Sequence, residues 1–204
     1  MASFVRRIRN FNHEKLVRLA RKFWYTEMEE RMYRVSAAEG LEMPESPDFG
    51  RDRWEDLVLY QPVDAREVRD EVLAEWRSRL DRGWHVFTKV EDGRLVAYGW
   101  LVDRQKISRC AGQTFELPDD CALIYNYFTL PEYRNRDYYQ RMLMHAIHEG
   151  AKVPGTRWVY MGVPFDDEHK IPRWWVERLA EHCDTCFYRR RLFFRKTWRE
   201  RVLA

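Results

Sequence analysis

The feature that most constrains the fold is an apolar and aromatic run at residues 121–130 (CALIYNYFTL), which a proline follows at once. A run with so little polar alternation is typical of a strand that is covered on both faces. The helix predicted after it has one apolar face, formed by Tyr139, Met142, Leu143, Ala146 and Ile147, and Gly150 is expected to end it. A buried strand that leads into an amphipathic helix predicts an α/β fold.

Shorter patterns predict the other elements. The first are a strand at residues 4–9 and one or two helices from residue 12 or 13 to about residue 34. A loop at 39–62 with a helical turn at 54–59 follows, and then a helix from Asp64 as its N-cap to Gly83. The remaining elements are a hairpin of 84–90 and 94–103, a strand at 156–163, a helix at 172–181 and a strand or hairpin at 187–198. The Asp92-Gly93 pair supplies the positive φ that the hairpin turn needs. This order predicts a mixed sheet in a single domain over residues 1–204.

Charge is unevenly spread along the chain. Acidic residues outnumber basic ones 15 to 6 between residues 26 and 75, and basic residues outnumber acidic ones 10 to 4 between 170 and 204. A cationic end attracts coenzyme phosphates, an acidic carrier protein, nucleic acid or anionic lipid, and a solvated face is an equal alternative. Because no apolar run approaches the about 18 residues of a membrane span, and residues 1–10 lack a secretion signal, we expect a cytoplasmic protein with reduced cysteines.

The segment between the buried strand and its helix reads Pro-Glu-Tyr-Arg-Asn-Arg at residues 131–136. Such a junction is an anion site, because free backbone N–H groups and the positive helix end converge there. This segment, with its strand before and its helix after, resembles the acetyl-CoA loop of the GCN5-related N-acetyltransferase (GNAT) family. The resemblance implies a GNAT-like fold, with a mixed, mostly antiparallel central sheet flanked by helices on both faces.

The resemblance also implies a coenzyme site. Backbone groups of Phe128, Thr129 and Leu130 would pair with the pantetheine arm of acetyl-CoA or a longer acyl-CoA, used as co-substrate without a metal. The pyrophosphate would be held by the segment formed by Arg134, Asn135, Arg136, Asp137, Tyr138 and Tyr139. The implied activity is transfer of the acyl group to an amine, which attacks the thioester directly.

Three positions depart from the family pattern. Asp137 and Tyr139 replace the two usual glycines of the loop, and Val176 stands where many members have a tyrosine that protonates the departing thiolate. An aspartate beside a diphosphate is unfavourable unless it points away or caps the helix. The alternatives are therefore a longer acyl-CoA, an acyl carrier protein or aminoacyl-tRNA as donor, or a noncatalytic binding module.

Direct attack requires a base for the amine proton and donors for the tetrahedral oxyanion. Polar residues cluster where the third and fourth strands are predicted to part, and Tyr127, Asp167 and His169 are the catalytic candidates, with water as an alternative route for the proton. Asn126 is a candidate substrate-binding residue beside them. In the family fold the first helices cover the site, so Trp24, Tyr25 and Tyr33 are expected to line the acceptor pocket. The acceptor is a small molecule or a peptide, and a homodimer is a further possible assembly.

Other patterns have competing interpretations. Cys183 and Cys186 form a C-x-x-C, but the spacing of Cys110 and Cys121 is unlike a usual zinc knuckle. His145 and His148 lie three residues apart on a helix without an evident third ligand, so a packed or solvated pair is favoured over a metal site. The cations and aromatics of residues 189–196 fit a final strand better than a nucleic-acid surface.

Overall fold

The computed structural model describes residues 25–64, 67–103, 107–110, 113–164, 180–191 and 194–201. Its strands are β1 (Tyr25–Ser36), β2 (Gly50–Arg51), β3 (His85–Glu91), β4 (Arg94–Asp103), β5 (Ile107–Cys110), β6 (Gln113–Glu116), β7 (Cys121–Thr129), β8 (Trp158–Pro164), β9 (Glu181–Arg191) and β10 (Phe194–Arg201). Its helices are α1 (Ala37–Leu41), α2 (Trp54–Leu57), α3 (Arg69–Asp81) and α4 (Tyr138–Ala151), with a 3₁₀ turn at Pro131–Arg136. None of the helices in these ranges is long and apolar enough to cross a membrane.

Eight strands form one sheet in the order β10-β9-β1-β8-β7-β4-β3-β2, and β5 pairs with β6 in a separate hairpin. Strands β7 and β8 are parallel, whereas the other neighbouring pairs are antiparallel. The prediction of a mixed, mostly antiparallel sheet is therefore confirmed.

The helices α4 and α3 cover opposite faces of this sheet. On the α4 face, Leu143 and Ile147 pack in the same buried cluster as Leu101 of β4. On the α3 face, Trp76 packs in a second cluster with Trp100, the neighbour of Leu101 along β4. Because successive side chains of a strand point to opposite faces, β4 contributes to both cores. Helices on both faces are confirmed.

The hairpin of β3 and β4 was predicted from its turn. Asp92 and Gly93 both have positive φ angles, of 49° and 72°. A two-residue turn with positive φ at both positions matches the right-handed twist of the strands it joins. Aspartate tolerates this conformation and glycine adopts it at no steric cost, so the local sequence sets the register of the hairpin.

The helix predicted to run to about residue 34 is wrong from residue 25 onward, because this segment forms β1. Met32, Tyr33 and Val35 are buried in the sheet. Strand β1 pairs with β8 on one side and β9 on the other. Two rows of interstrand hydrogen bonds outweigh a helical apolar pattern. The predicted strand at residues 4–9 and the start of this helix lie outside the described residues.

Smaller differences concern the ends of helices. Helix α3 begins at Arg69 with Val68 as its N-cap, so the predicted cap at Asp64 is wrong. Helix α4 runs past Gly150 to Ala151. A Cβ atom at Gly150 would lie 3.2 Å from Leu101 and 3.3 Å from Val159, so this glycine serves close packing rather than a helix stop. The β5–β6 hairpin was not predicted. Residues 172–179 of the helix predicted at 172–181 are outside the described ranges, and Glu181 at its predicted end begins β9.

Candidate functional site

Strands β7 and β8 part in the middle of the sheet. They pair through Cys121–Ile124 and Trp158–Met161, but β7 continues to Thr129 and β8 to Pro164. Past this point β7 pairs with β4 alone and β8 with β1 alone among the described residues. Within the described residues the facing edges of the two strands have no strand partner past this point, and an extended ligand can add to such an edge as a strand does.

A β-bulge in β7 marks the opening. Trp100 of β4 pairs with Tyr125, and the next pair along β7 is Tyr98 with Phe128, so two residues, Asn126 and Tyr127, lie opposite the single residue Gly99. Asn126 is exposed and has a φ of 53°. A bulge bends its strand and re-aims the side chains. Here it brings both Tyr125 and Phe128 to the α3 face.

The aromatic ring of Tyr127 lies over Gly99 of β4. A Cβ atom at Gly99 would be 2.4 Å from the ring, so no larger residue fits there without movement. The Tyr127 hydroxyl is buried and has no hydrogen-bond partner among the described residues. Burial, and then the neighbouring Tyr139, raise the pKa of Tyr127 well above its ordinary value. The hydroxyl is therefore neutral and able to donate a hydrogen bond.

The C-terminal end of β7 leads to the N-terminus of α4. After the 3₁₀ turn, Asp137 adopts the left-handed conformation, with φ 56° and ψ 14°, and its side chain makes no capping hydrogen bond. This conformation is the one that glycine adopts most readily, and aspartate is among the few other residues that tolerate it. The replacement of the usual glycine therefore preserves the path of the backbone. The first N–H groups of α4 lack acceptors within the helix and form an anion-binding end.

Arginine and glutamate side chains surround this helix end. Arg136 donates to Glu91 at 2.5 Å, and the Tyr138 hydroxyl donates to the same carboxylate. Arg94 forms an ion pair with Glu132 at 3.3 Å. Two of the nearby cations are thus already balanced by carboxylates.

Arg134 differs from Arg136 in its partners. Its side chain is exposed, and Nε donates to the Thr129 carbonyl at 3.4 Å. It forms no ion pair with any of the described residues. Arg134 is therefore the cation beside the α4 N-terminus that is most available to an anion.

The structure brings the predicted coenzyme-binding residues together at one place. Thr129 and Leu130 are buried at the end of β7, Phe128 stacks on Tyr98 with 5.5 Å between ring centroids, and Asn135 is exposed on the 3₁₀ turn. Tyr139 lies edge-on to Tyr127, with 6.3 Å between ring centroids. Tyr139, which replaces the second usual glycine of the family loop, thus packs against the sheet.

Of the predicted acceptor residues, Tyr33 and Asn126 have described side chains, and the two lie apart. Tyr33 is 1% exposed in the core of the α4 face, where its ring lies 5.2 Å from that of His182. Tyr25 begins β1. Trp24, Asp167 and His169 lie outside the described residues. Among the candidate residues whose side chains are described, the substrate-binding candidate Asn126 and the catalytic candidate Tyr127 lie in the bulge at the opening.

A pocket that the sequence did not reveal lies on the α3 face. It has a volume of about 460 Å³ and is lined by Tyr60, Val63, Asp64, Glu67, Tyr98 and Phe128. These residues come from the segment before α3, from β4 and from β7. Phe128 belongs to both the pocket wall and the opening between β7 and β8, so the two are adjacent. The pocket was not predicted because its lining residues come from three separate segments. The acidic and aromatic residues before α3 are the part of the lining that is continuous in sequence.

Arg79 of α3 is also buried on this face. Its guanidinium carbon lies 5.1 Å, 5.2 Å and 5.7 Å from the ring centroids of Trp100, Tyr125 and Trp84. Nε donates to Glu75 at 3.1 Å, while Nη1 has no partner among the described residues. Cation–π contacts of this kind stabilise a buried guanidinium.

The described histidine and cysteine side chains do not form a clear metal centre. Glu45, His148 and Glu149 have ligand atoms within 4.8 Å of one another. However, the Lys152 ammonium bonds both carboxylates and takes the place of a cation. Burial raises the pKa values of Cys121 and Cys183 to about 11, which keeps both thiols protonated.

Comparison with known proteins assigns the family. The model of the acetyltransferase (GNAT) family matches residues 48–174, which is more than half of the chain. The chain therefore belongs to the GNAT acetyltransferase family. No curated protein matches it.

Solved structures share the fold at low sequence identity. A putative GNAT-family acetyltransferase from Novosphingobium aromaticivorans is 15% identical, with a TM-score of 0.53 over 87% of this chain and 66% of that one. A tandem GNAT protein from the clavulanic acid biosynthesis pathway is 14% identical, with a TM-score of 0.54 over 88% of this chain and 58% of that one. A functionally unknown conserved protein from Staphylococcus epidermidis is 11% identical, with a TM-score of 0.54 over 87% of this chain and 66% of that one. The chain thus spans less than two thirds of the length of these proteins.

Proposed function

We propose that the chain transfers an acyl group from acetyl-CoA or a longer acyl-CoA to an amine. The observation that carries this proposal is the opening between β7 and β8, which leads directly to the N-terminus of α4. The pantetheine arm pairs with the free edge of β7 at Phe128 and Thr129, and the pyrophosphate lies at the α4 N–H groups with Arg134 beside it. One extended ligand fits both features at once.

The reaction follows from this placement. The neutral amine nitrogen attacks the thioester carbonyl carbon, the C–S bond breaks, and the coenzyme leaves as a thiolate. Backbone N–H groups at the edge of β7 stabilise the oxyanion of the tetrahedral intermediate. The amine proton passes to a base, for which Asp167 and His169, which follow β8 in the chain, are the candidates. Because the Tyr127 hydroxyl stays neutral, its role is to donate a hydrogen bond rather than to accept the proton.

The test is calorimetric binding of CoA, acetyl-CoA and a long-chain acyl-CoA, with thermal stabilisation as a second readout. Arg134→Ala and Arg136→Glu are each expected to weaken binding about tenfold, because each removes or reverses a charge beside the diphosphate. Arg195→Ala is the matched control, since Arg195 is exposed on the edge strand β10. Unchanged affinity in both loop variants, with the control also unchanged, contradicts the pyrophosphate site.

A second candidate is a GNAT-like protein whose donor is an acyl carrier protein, and Asp137 favours it. This exposed carboxylate stands one residue before α4, where a diphosphate would meet repulsion. Asp137→Asn keeps a residue that tolerates the left-handed conformation and removes the charge. On the acyl-CoA proposal, the variant binds acetyl-CoA about threefold more tightly. Turnover with an acylated carrier protein, together with no free acyl-CoA binding in either form, supports the carrier donor instead.

A further inference from the structure

A single carboxylate, that of Glu91, contacts both the 3₁₀ turn and the first residue of α4. One of its oxygens accepts a hydrogen bond from Nη1 of Arg136 at 2.5 Å, and the other accepts one from the Tyr138 hydroxyl. Tyr138 is buried, whereas the Arg136 side chain is more than half exposed. The carboxylate is thus anchored through Tyr138 whether or not Arg136 stays paired with it.

The end of the β3–β4 hairpin fixes the position of this carboxylate. Glu91 is the last residue of β3 and pairs with Arg94, the first residue of β4. Arg94 in turn forms its ion pair with Glu132 of the 3₁₀ turn at 3.3 Å. The hairpin therefore holds the approach to α4 at two points. Because the Glu91 side chain is only 21% exposed, solvent screens its charge less than that of a fully exposed carboxylate.

Most of the described cations near the α4 N-terminus are paired with carboxylates. At a distance, a cation and a carboxylate in direct contact largely cancel each other's field. Ion pairs of this kind join Arg136 to Glu91, Arg94 to Glu132, and both Lys89 and Arg141 to Asp48. Arg134 forms no such pair within the part of the chain that the structure describes. The helix end therefore offers an anion its N–H groups and the Arg134 guanidinium.

This arrangement suits one phosphate better than two. The phosphate at the end of a phosphopantetheine arm is a diester with one negative charge on a carrier protein, and it is half of a diphosphate with two charges in coenzyme A. A second phosphate that approached Arg136 would also meet the charge of Glu91, which lies 2.5 Å from that guanidinium. Repulsion by the carboxylate then offsets the attraction of the arginine.

We propose that Glu91 neutralises Arg136 and so makes the donor site favour the single phosphate of a phosphopantetheine arm over a diphosphate. This inference rests on the proposed donor site and concerns the part of the donor that the site recognises. The phosphate at the end of the arm lies at the α4 N–H groups beside Arg134. The second phosphate of coenzyme A gains nothing from Arg136 while Glu91 is charged. Coenzyme A and an acylated carrier protein both present the recognised group.

The experiment measures calorimetric binding of three ligands: pantetheine, the methyl ester of 4′-phosphopantetheine, and dephospho-coenzyme A. Their phosphates carry no, one and two negative charges. Glu91→Gln removes the charge and keeps an acceptor for the Tyr138 hydroxyl. The variant is expected to bind dephospho-coenzyme A about tenfold more tightly than the native protein, and to bind the methyl ester less than about threefold more tightly. Because the adenosine group meets both protein forms alike, the comparison isolates the second phosphate.

Two further variants show where the gain comes from. Arg136→Ala, added to Glu91→Gln, is expected to cancel the gain for dephospho-coenzyme A, because the freed guanidinium is then missing. Asp81→Asn is the matched control, since Asp81 is an exposed carboxylate at the end of α3, on the opposite face of the sheet. It removes the same charge and is expected to change each affinity less than about twofold.

The outcomes separate this inference from the proposed function. Unchanged or weaker binding of dephospho-coenzyme A to Glu91→Gln overturns the inference, and weaker binding would show that Glu91 orients Arg136 for the coenzyme. A gain that is equal for the methyl ester, that survives Arg136→Ala or that Asp81→Asn reproduces also overturns it. In these cases binding and turnover of acetyl-CoA leave the acyl-CoA proposal standing.

The selective gain supports the inference even without turnover of acetyl-CoA, and the acyl-CoA donor is then what fails. If no ligand binds either form, both the donor site and the role of Glu91 are wrong.

Discussion

The same strands form both faces of the central sheet, but the side chains that pack on the two faces differ in kind. On the α4 face, aliphatic side chains such as Leu101, Leu143 and Ile147 are almost completely buried. On the α3 face, the corresponding positions hold Tyr98, Trp100 and Phe128, with a buried arginine and an open pocket among them. Alternation along β4 decides which face each residue joins.

The two faces differ in what their side chains contribute, which is stability on the α4 face and a pocket on the α3 face. A face that is filled mostly by aliphatic side chains stabilises the fold by removing apolar area from water. A face in which large rings predominate leaves gaps between them, and such a gap is the kind of space in which proteins bind small ligands. Variants on the two faces should therefore have different effects, on stability for one and on binding for the other.

Leu101→Ala on the α4 face is expected to have the largest effect. Leu101 is fully buried, so its truncation leaves a cavity and costs about 3 kcal/mol in the free energy of unfolding. Phe128→Leu on the α3 face keeps much of the volume and is expected to cost less than about 1.5 kcal/mol, while it weakens binding of acetyl-CoA, whose pantetheine arm is proposed to lie at this position. Denaturant unfolding and calorimetry measure the two effects. Equal losses of stability and of binding in both variants would break the distinction between the faces.

Gly99→Ala tests the contact that holds Tyr127 on the α4 face. The added Cβ atom would lie 2.4 Å from the tyrosine ring, so the ring must move, at a cost of about 1–3 kcal/mol. In a Tyr127→Ala background the same change is expected to cost less than about 0.5 kcal/mol, because the clashing ring is gone. A double-mutant cycle of unfolding free energies measures the difference. Equal costs in the two backgrounds would show that the ring does not constrain position 99.

The smallest expected effect is a pH dependence of stability on the α4 face. Burial lowers the pKa of His145 below its ordinary value of 6.5, and the opposing influence of Glu149 is smaller. Because the unfolded chain binds the proton more readily, the contribution of His145 to the free energy of unfolding is fully present above about pH 6.5 and is lost as the pH falls below that value. Carboxylates such as Asp52, whose pKa is lowered below its ordinary value of 3.8, lose their contribution to the free energy of unfolding only at lower pH.

Unfolding free energies between pH 8 and pH 5, about the range in which imidazole changes charge, provide the measurement. His145→Gln is the control, since an amide oxygen can still accept the hydrogen bond that the Ser46 N–H donates to Nδ1 at 3.3 Å. The variant is expected to have a flatter profile than the native chain. The same slope in both proteins would assign the pH dependence to other groups.

Local sequence signals predicted the elements around the proposed donor site. Pro131 ends β7, and the Asp92-Gly93 turn sets the hairpin of β3 and β4. Asp137 shows the limit of such signals: the sequence identified it as a departure from the family loop, and the backbone then placed it in the left-handed conformation that glycine favours. At Pro131, at the Asp92-Gly93 turn and at Asp137, the backbone adopts a conformation that the residue itself favours or tolerates.

What the sequence did not reveal depends on residues that are distant along the chain. The apolar spacing of residues 25–34 fits a helix, and only pairing with β8 and β9, more than a hundred residues away, makes the segment a strand. The pocket likewise combines side chains from three separate segments. Neither local propensity nor periodicity contains this information.

The position of β1 has a consequence for any shortened form of the protein. Among the described strands, β9 and β10 reach the rest of the sheet only through β1. A chain cut to residues 48–174, the part that the family model matches, would lack both β1 and the final hairpin. Strand β8 would then present an open edge to solvent, and such an edge is a template for association between copies. Segments that lie before and after residues 48–174 thus cover successive strand edges of the sheet, and loss of either one uncovers an edge.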